Sequence, residues 1–270
     1  MWIWVLGGLL CFLALNWKRL VQLYAVYDRW KHSKRLPRSY FTDPVKLQTF
    51  REFPNVVLSL SSTPNRARTS LREVLIPHLP SVPTVHLNLP RLFRNKDPYF
   101  EEDLHALSSL SPKIRIYRQE DDWGPITKSL PTLERFIGTD TIVVVIDDDV
   151  LMDPRTVPIL VESLLTQDLD VTSGYITPQG SPQGNNGIAF RCKNLTPCFF
   201  DFLHKARKVE TCKLDDDMLL GEAIRRCKLR LGKPKTNFEQ LQLMEGASSE
   251  ALWYVDTFKT WRCPAILAAL

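Results

Sequence analysis

Two runs of three aspartates stand out in this chain: Asp147–Asp149 within "TIVVVIDDDVLMDP", and Asp215–Asp217 within "CKLDDDMLLGEAIRR". Carboxylates gathered so densely repel one another unless a cation or a proton lies between them. Mg²⁺ and Mn²⁺ prefer hard oxygen ligands, commonly one or two carboxylates plus the phosphates of a substrate. The first run ends an apolar strand candidate, which would fix its last side chains firmly. Strand side chains alternate, so Asp147 and Asp149 are expected on one side. Alone, the triplet also fits a solvated loop or a helix start, where negative charge complements the dipole. The second run reads as a helix N-terminus. Capping explains one or two of its members, and a carboxylate there that reaches an attacking hydroxyl would serve as a general base.

Two further segments bring cations. In "DDWGPITKSLP" the Gly124-Pro125 pair imposes a sharp turn, and Lys128 is expected in the first turn of a following helix. An ammonium beside the backbone N–H groups of a helix start suits a phosphate. In "SLSSTPNRARTS" the candidates are Thr63, Arg66 and Arg68, polar and basic residues suited to a nucleotide. Each, taken singly, is also explained as an ordinary surface residue.

The elements that must position these groups follow from hydrophobic patterning. Strands are expected at "NVVLSLSS" (55–62), "TVHLNLP" (84–90), "KIRIYRQ" (113–119), "TIVVVI" (141–146) and "DVTSGYI" (170–176). Helical spacing marks "LREVLIPHLP", broken by its prolines, and "FEEDLHALSSL", "RTVPILVESLLTQ" and "LDDDMLLGEAIRRCKL". The stretch "TPQGSPQGNNG" reads as a flexible loop and a plausible lid. Strands alternating with helices imply an α/β three-layer sandwich around a mostly parallel sheet. Ligands of such sheets bind outside the carboxyl ends of the strands. Both "VVVI" and "VVLSL" run into polar residues at that end.

In this order and spacing, "SLSSTPNR", "DDWGPITK", "VVVIDDDV" and "LDDDMLLGEAIRR" resemble the small GT-A glycosyltransferases with a DxD motif. The branch found in algae, protists and large DNA viruses carries a similar "GPxTK" element. The likeness covers roughly residues 54–230. It implies a GT-A fold, a UDP- or GDP-sugar donor, a Mn²⁺ or Mg²⁺ cofactor and a glycan, glycoprotein or lipid acceptor. It further implies that Asp149 and Asp147 ligate the metal, and that Thr63, Arg66, Lys128, Asp147 and Asp148 line the donor. Asp216 or Asp217 would be the base of an inverting transfer. Many such enzymes supply a late histidine as a metal ligand, whereas His204 is the last here and precedes the second aspartate run. A nucleotidyl- or phosphotransferase, or an inactive membrane-tethered scaffold, could use the same residues.

Composition narrows the partners. The 270 residues carry a formal charge of +5, but seven of the basic residues lie within 1–40 against Asp28 alone. The remainder holds 28 basic and 29 acidic residues, which argues against a nucleic-acid binder. Residues 1–17, "MWIWVLGGLLCFLALNW", contain no charge and place tryptophans at both ends. They are expected to form a single-pass transmembrane anchor, near the lower limit of the ~20 residues a span needs. Residues 18–50 then read as a basic stalk beside the membrane and 51–270 as the catalytic domain. Six cysteines without a CxxC pair make a zinc site improbable. The sequon Asn194-Leu195-Thr196 is followed by Pro197.

Overall fold

A computed structural model describes residues 52–209, 212 and 214–235, with the backbone of 241–243. The expected anchor (1–17) and stalk (18–50) lie outside the described residues. Among those described, no helix is long and apolar enough to cross a membrane.

The chain begins with β1 (Val56–Leu60), α1 (Pro64–Thr69) and α2 (Leu71–Leu75), then β2 (Thr84–Pro90). A small ribbon of β3 (Leu92–Phe93) and β4 (Asp97–Pro98) leads to α3 (Glu101–Ser108) and β5 (Ile114–Gln119). Next come α4 (Leu130–Arg135), β6 (Ile142–Val145), β7 (Val150–Met152) and α5 (Thr156–Thr166). The last described elements are β8 (Val171–Ser173), β9 (Ile188–Arg191), α6 (Pro197–Ala206), α7 (Asp216–Arg226), β10 (Leu231–Gly232) and β11 (Leu241–Leu243).

Among the described residues the main sheet has seven strands in the order β10-β8-β9-β6-β1-β2-β5. β6, β1, β2 and β5 run parallel, with Val57 opposite both Thr84 and Val143. β9 is antiparallel to β6 and β8, and β10 rejoins β8 in parallel. From β1 the chain builds outward through β2 and β5, then returns to place β6 on the other side of β1. Strand order therefore reverses between β1 and β6. That reversal is a topological switch point, where neighbouring connections leave in opposite directions and a crevice opens at the carboxyl ends.

Alternation explains the three layers. Val56, Leu58 and Leu60 of β1 with Val144 of β6 enter one core, against α1, α2, α3 and α5. Val57 with Val143 and Val145 enters the other, against α4, α6 and α7. Both faces being covered, these strands are apolar almost throughout. Each fully buried Val or Leu contributes about 1.5–3 kcal/mol relative to exposure. The expected α/β sandwich with a mostly parallel sheet is thus observed.

Local differences have local causes. Pro77 ends α2, and the chain tightens into the 3-10 turn Ile76–Ser81. Gly124–Lys128 is likewise a 3-10 turn with Lys128 as its last residue, and α4 begins two residues later. Lys128 is therefore ahead of the helix rather than inside its first turn. The four-residue strand β9, directly after the glycine-rich segment 177–187, was not expected. That segment is itself built as a turn, with Thr177 N–H donating to Ser181 O and Ile176 bridged to Pro182.

Candidate functional site

The site grows from the ends of β1 and β6 at the switch point. β6 ends at Val145, so strict alternation stops before the aspartates, and the three side chains diverge. Asp148, buried, turns toward β1. Ser62 Oγ donates to its Oδ2 at 2.6 Å, and Arg66, on α1, donates to its Oδ1 at 2.7 Å. Tyr99 holds this corner by donating its hydroxyl to Ser62 O at 2.6 Å. Burial still raises the Asp148 carboxyl above the usual carboxylate range, despite Arg66 and Ser62. Asp149 lies 3.3 Å from the same guanidinium. Burial, with the charges of Asp147 and Asp148, pushes its pKa up to about 7.

Asp147 goes the other way. Its Oδ1 accepts from Lys128 Nζ at 2.5 Å, and Lys128 Nζ is 2.9 Å from Asp216 Oδ2. The lysine thus joins the end of β6 to the start of α7. Burial works against its charge, but Asp147, Asp216 and Asp217 outweigh it and hold the ammonium well above its ordinary pKa. Gly124, at φ 71°, makes the turn that delivers it, and Asp122 Oδ1 caps that turn by accepting from Gly124 N–H at 2.8 Å.

The second aspartate run divides its work. Asp215 is the N-cap of α7, its Oδ1 accepting from Met218 N–H at 3.0 Å. Asp216 faces Lys128. Asp217 accepts from the Gly184 N–H at 2.9 Å. Burial lifts the carboxyl of Asp216, aided by Asp147 and opposed by Lys128. Burial and Asp216 together lift Asp217 well above the usual range. Gly184 must come close: a Cβ there would sit 2.7 Å from Asp147 Oδ1 and 2.8 Å from Lys128 Nζ.

Among the sequence candidates, Asp147, Asp148, Asp149, Asp216, Asp217, Arg66 and Lys128 are brought together at this end of the sheet. Thr63 borders the cluster, its Oγ1 accepting from Arg66 N–H as the N-cap of α1. Arg68 departs from it, pairing with Asp103 and lying over the Phe100 ring. Sequence reasoning missed Ser62, Tyr99 and Gly184, and also a buried polar group behind the lysine. Ser59 Oγ donates to Lys128 O at 2.6 Å, while Asn88 donates to Ser59 and to Thr132. The polar positions of "TVHLNLP" were the signal. They look like the wet face of a half-exposed strand, yet His86 and Asn88 are 2% and 0% exposed and lie under the second helical layer.

Five carboxylates, from Asp147, Asp148, Asp149, Asp216 and Asp217, therefore share two cations, Arg66 and Lys128. A buried excess of negative charge is costly, and a divalent cation would relieve it. No three His, Cys, Asp or Glu side chains form a ready metal cage among the described residues. The donor set nonetheless fits Mg²⁺ or Mn²⁺, since such ions need only one or two carboxylate oxygens when a diphosphate supplies others. Asp147 and Asp149 are partly exposed, at 22% and 21% of their side chains, so both remain open to solvent.

No protein-family profile and no curated protein matches the chain. Among solved structures it is similar to the mannosyltransferase PcManGT from Pyrobaculum calidifontis in complex with GDP-Man and Mn²⁺. The TM-score is 0.45 at 15% identity, over 82% of this chain and 64% of that one. The chain thus spans under two thirds of that structure. At this TM-score and identity the likeness assigns nothing to this chain.

Proposed function

We propose that the protein is a metal-dependent glycosyltransferase that moves a sugar from a nucleotide-sugar, a UDP- or GDP-sugar, to a hydroxyl of a glycan, glycoprotein or lipid. The observation carrying this is the under-neutralised carboxylate cluster at the β1–β6 switch point, with one lysine bridging its two halves. A nucleoside diphosphate brings phosphate oxygens for a cation to share, which is what such a cluster needs.

In this reading Arg66, Thr63 and Asp148 border the nucleotide, and Lys128 stands beside the diphosphate. Mn²⁺ or Mg²⁺ would be held by Asp149 and Asp147, and when bound supplies Lewis-acid neutralisation of the leaving diphosphate. The acceptor oxygen attacks the anomeric carbon while the bond from that carbon to the diphosphate oxygen breaks, inverting the centre. The hydroxyl proton passes to Asp217. Asp217 is preferred to Asp216 because Asp216 is committed to Lys128. Residues 1–17 would tether residues 51–270 to a membrane through the basic stalk.

The test is thermal stabilisation of the purified chain by UDP-, GDP- and CMP-sugars with and without Mn²⁺. Ligand at a hundred times its Kd stabilises by about 2.7 kcal/mol. The expected result is stabilisation that requires both nucleotide-sugar and Mn²⁺ and vanishes in Asp149→Ala. Indifference to every nucleotide overturns the proposal, and phosphate release without sugar dependence would replace it with a phosphotransferase.

A further inference from the structure

Away from the carboxylates, two cysteines meet where α6 packs on α7. Cys198 is exposed in the first turn of α6, directly after Pro197. Cys227 caps the C-terminal end of α7. Their Sγ atoms are 2.9 Å apart. A disulfide bond is about 2.05 Å long, so the sulfurs need to close by less than 1 Å. The same two helices are pinned beside this point by the Arg226 guanidinium, 4.7 Å from the centre of the Phe202 ring. The pair is therefore held in register by packing that does not involve sulfur.

We infer that Cys198 and Cys227 are a redox-modifiable pair that closes to a disulfide, tying the first turn of α6 to the end of α7, with a small disulfide such as oxidised glutathione as oxidant. The accessible Cys198 thiolate attacks one sulfur of the oxidant, and one glutathione thiolate leaves. Cys227 then loses its proton and attacks the Cys198 sulfur, releasing the second glutathione. Two protein thiols are oxidised and one small disulfide is reduced to two thiols. The order follows from access: burial, with the Cys198 thiol beside it, pushes the Cys227 thiol up to about 12, so it is the resolving rather than the attacking sulfur. Cys192 is fully buried and takes no part. Asp216 and Asp217 open the helix whose far end this bond would anchor. The bond closes a loop that spans the second aspartate run.

The experiment exposes the full-length protein, without denaturant, to oxidised glutathione, then quenches with acid, alkylates and maps peptides under non-reducing conditions. The expected product is a Cys198–Cys227 cross-linked peptide, with Cys192 still alkylated as a thiol and the melting temperature raised by several degrees. In Cys227→Ser the resolving thiol is absent, so Cys198 should instead accumulate as the glutathione mixed disulfide. Recovery of both cysteines singly alkylated after prolonged oxidation overturns the inference. So does a cross-link from Cys198 to any cysteine other than Cys227. Neither readout depends on sugar transfer, so this inference and the proposed activity fail separately.

Discussion

The two ends of the central sheet are both rich in charge, and they handle it in opposite ways. At the amino end of β8 and β10, Asp168 and Asp170 meet Arg191 and Arg230 one for one, with contacts from 2.6 to 3.2 Å. Both acids titrate below the usual range. Asp168 does so through hydrogen bonds and charge from Arg230, and Asp170 because the same arginine outweighs its burial. Asn194 also donates to Asp170, which engages the amide of the Asn194 sequon in structure. At the carboxyl end five acids share two cations, and burial raises the carboxyls of Asp148, Asp149, Asp216 and Asp217. One end is a closed structural clasp. The other gathers more carboxylates than cations.

The sharpest way to break this contrast is Asp217→Asn, which keeps shape and removes the proposed base. Transfer should fall by about 10²–10⁴-fold while stabilisation by nucleotide-sugar and Mn²⁺ persists. Full turnover would return Asp217 to a purely structural role. Gly184→Ala should come next. Its methyl would strike Asp147 and Lys128, which hold each other and cannot move cheaply, so about 1–3 kcal/mol of stability and the donor response should be lost together in a melting assay.

A third test reads the charge excess directly. Asp149 has a folded pKa of about 7 against 3.8 for its ordinary value, so the fold favours its protonated form. Its contribution to stability is complete below about pH 4 and is lost as pH rises through 7. Relative to Asp149→Asn, which stays neutral, the metal-free protein should lose stability across that window and level off above it. Millimolar Mn²⁺ should flatten the difference, and a slope of opposite sign would contradict the excess. The smallest effect is expected at the clasp. Asp168→Asn removes the charge of an exposed carboxylate that pairs with both Arg191 and Arg230, and should move the melting temperature by no more than about 2 °C, with donor stabilisation unchanged.

Much of the frame was legible in the sequence because it is local. "NVVLSLSS", "TVHLNLP", "KIRIYRQ" and "TIVVVI" became β1, β2, β5 and β6, and the charged members of the site announce themselves by type. What escaped depends on distance through space. Ser62 matters only because Asp148, 86 positions later, folds against it. Gly184 matters only because a turn brings its backbone to Lys128. Ser59 and Asn88 are common polar residues in strands, and their role in holding the Lys128 carbonyl is invisible until α4 covers them. The expectation that Asp147 and Asp149 share one face failed for a related reason. Alternation predicts one shared face for Asp147 and Asp149, but the strand has ended, and the partners on α1 and ahead of α4 decide where each carboxylate goes.

The bridge from Asp147 through Lys128 to Asp216 also bears on how the chain comes of age. The lysine and the first aspartate are 19 positions apart and can meet early. The other half of the bridge joins Lys128 to Asp216 on α7, 88 positions later. Contacts between residues so far apart in sequence form slowly and late. A nascent or truncated chain ending before Asp215 would hold one side of the crevice without the other. The two halves of the carboxylate cluster are therefore joined only in a chain that includes α7.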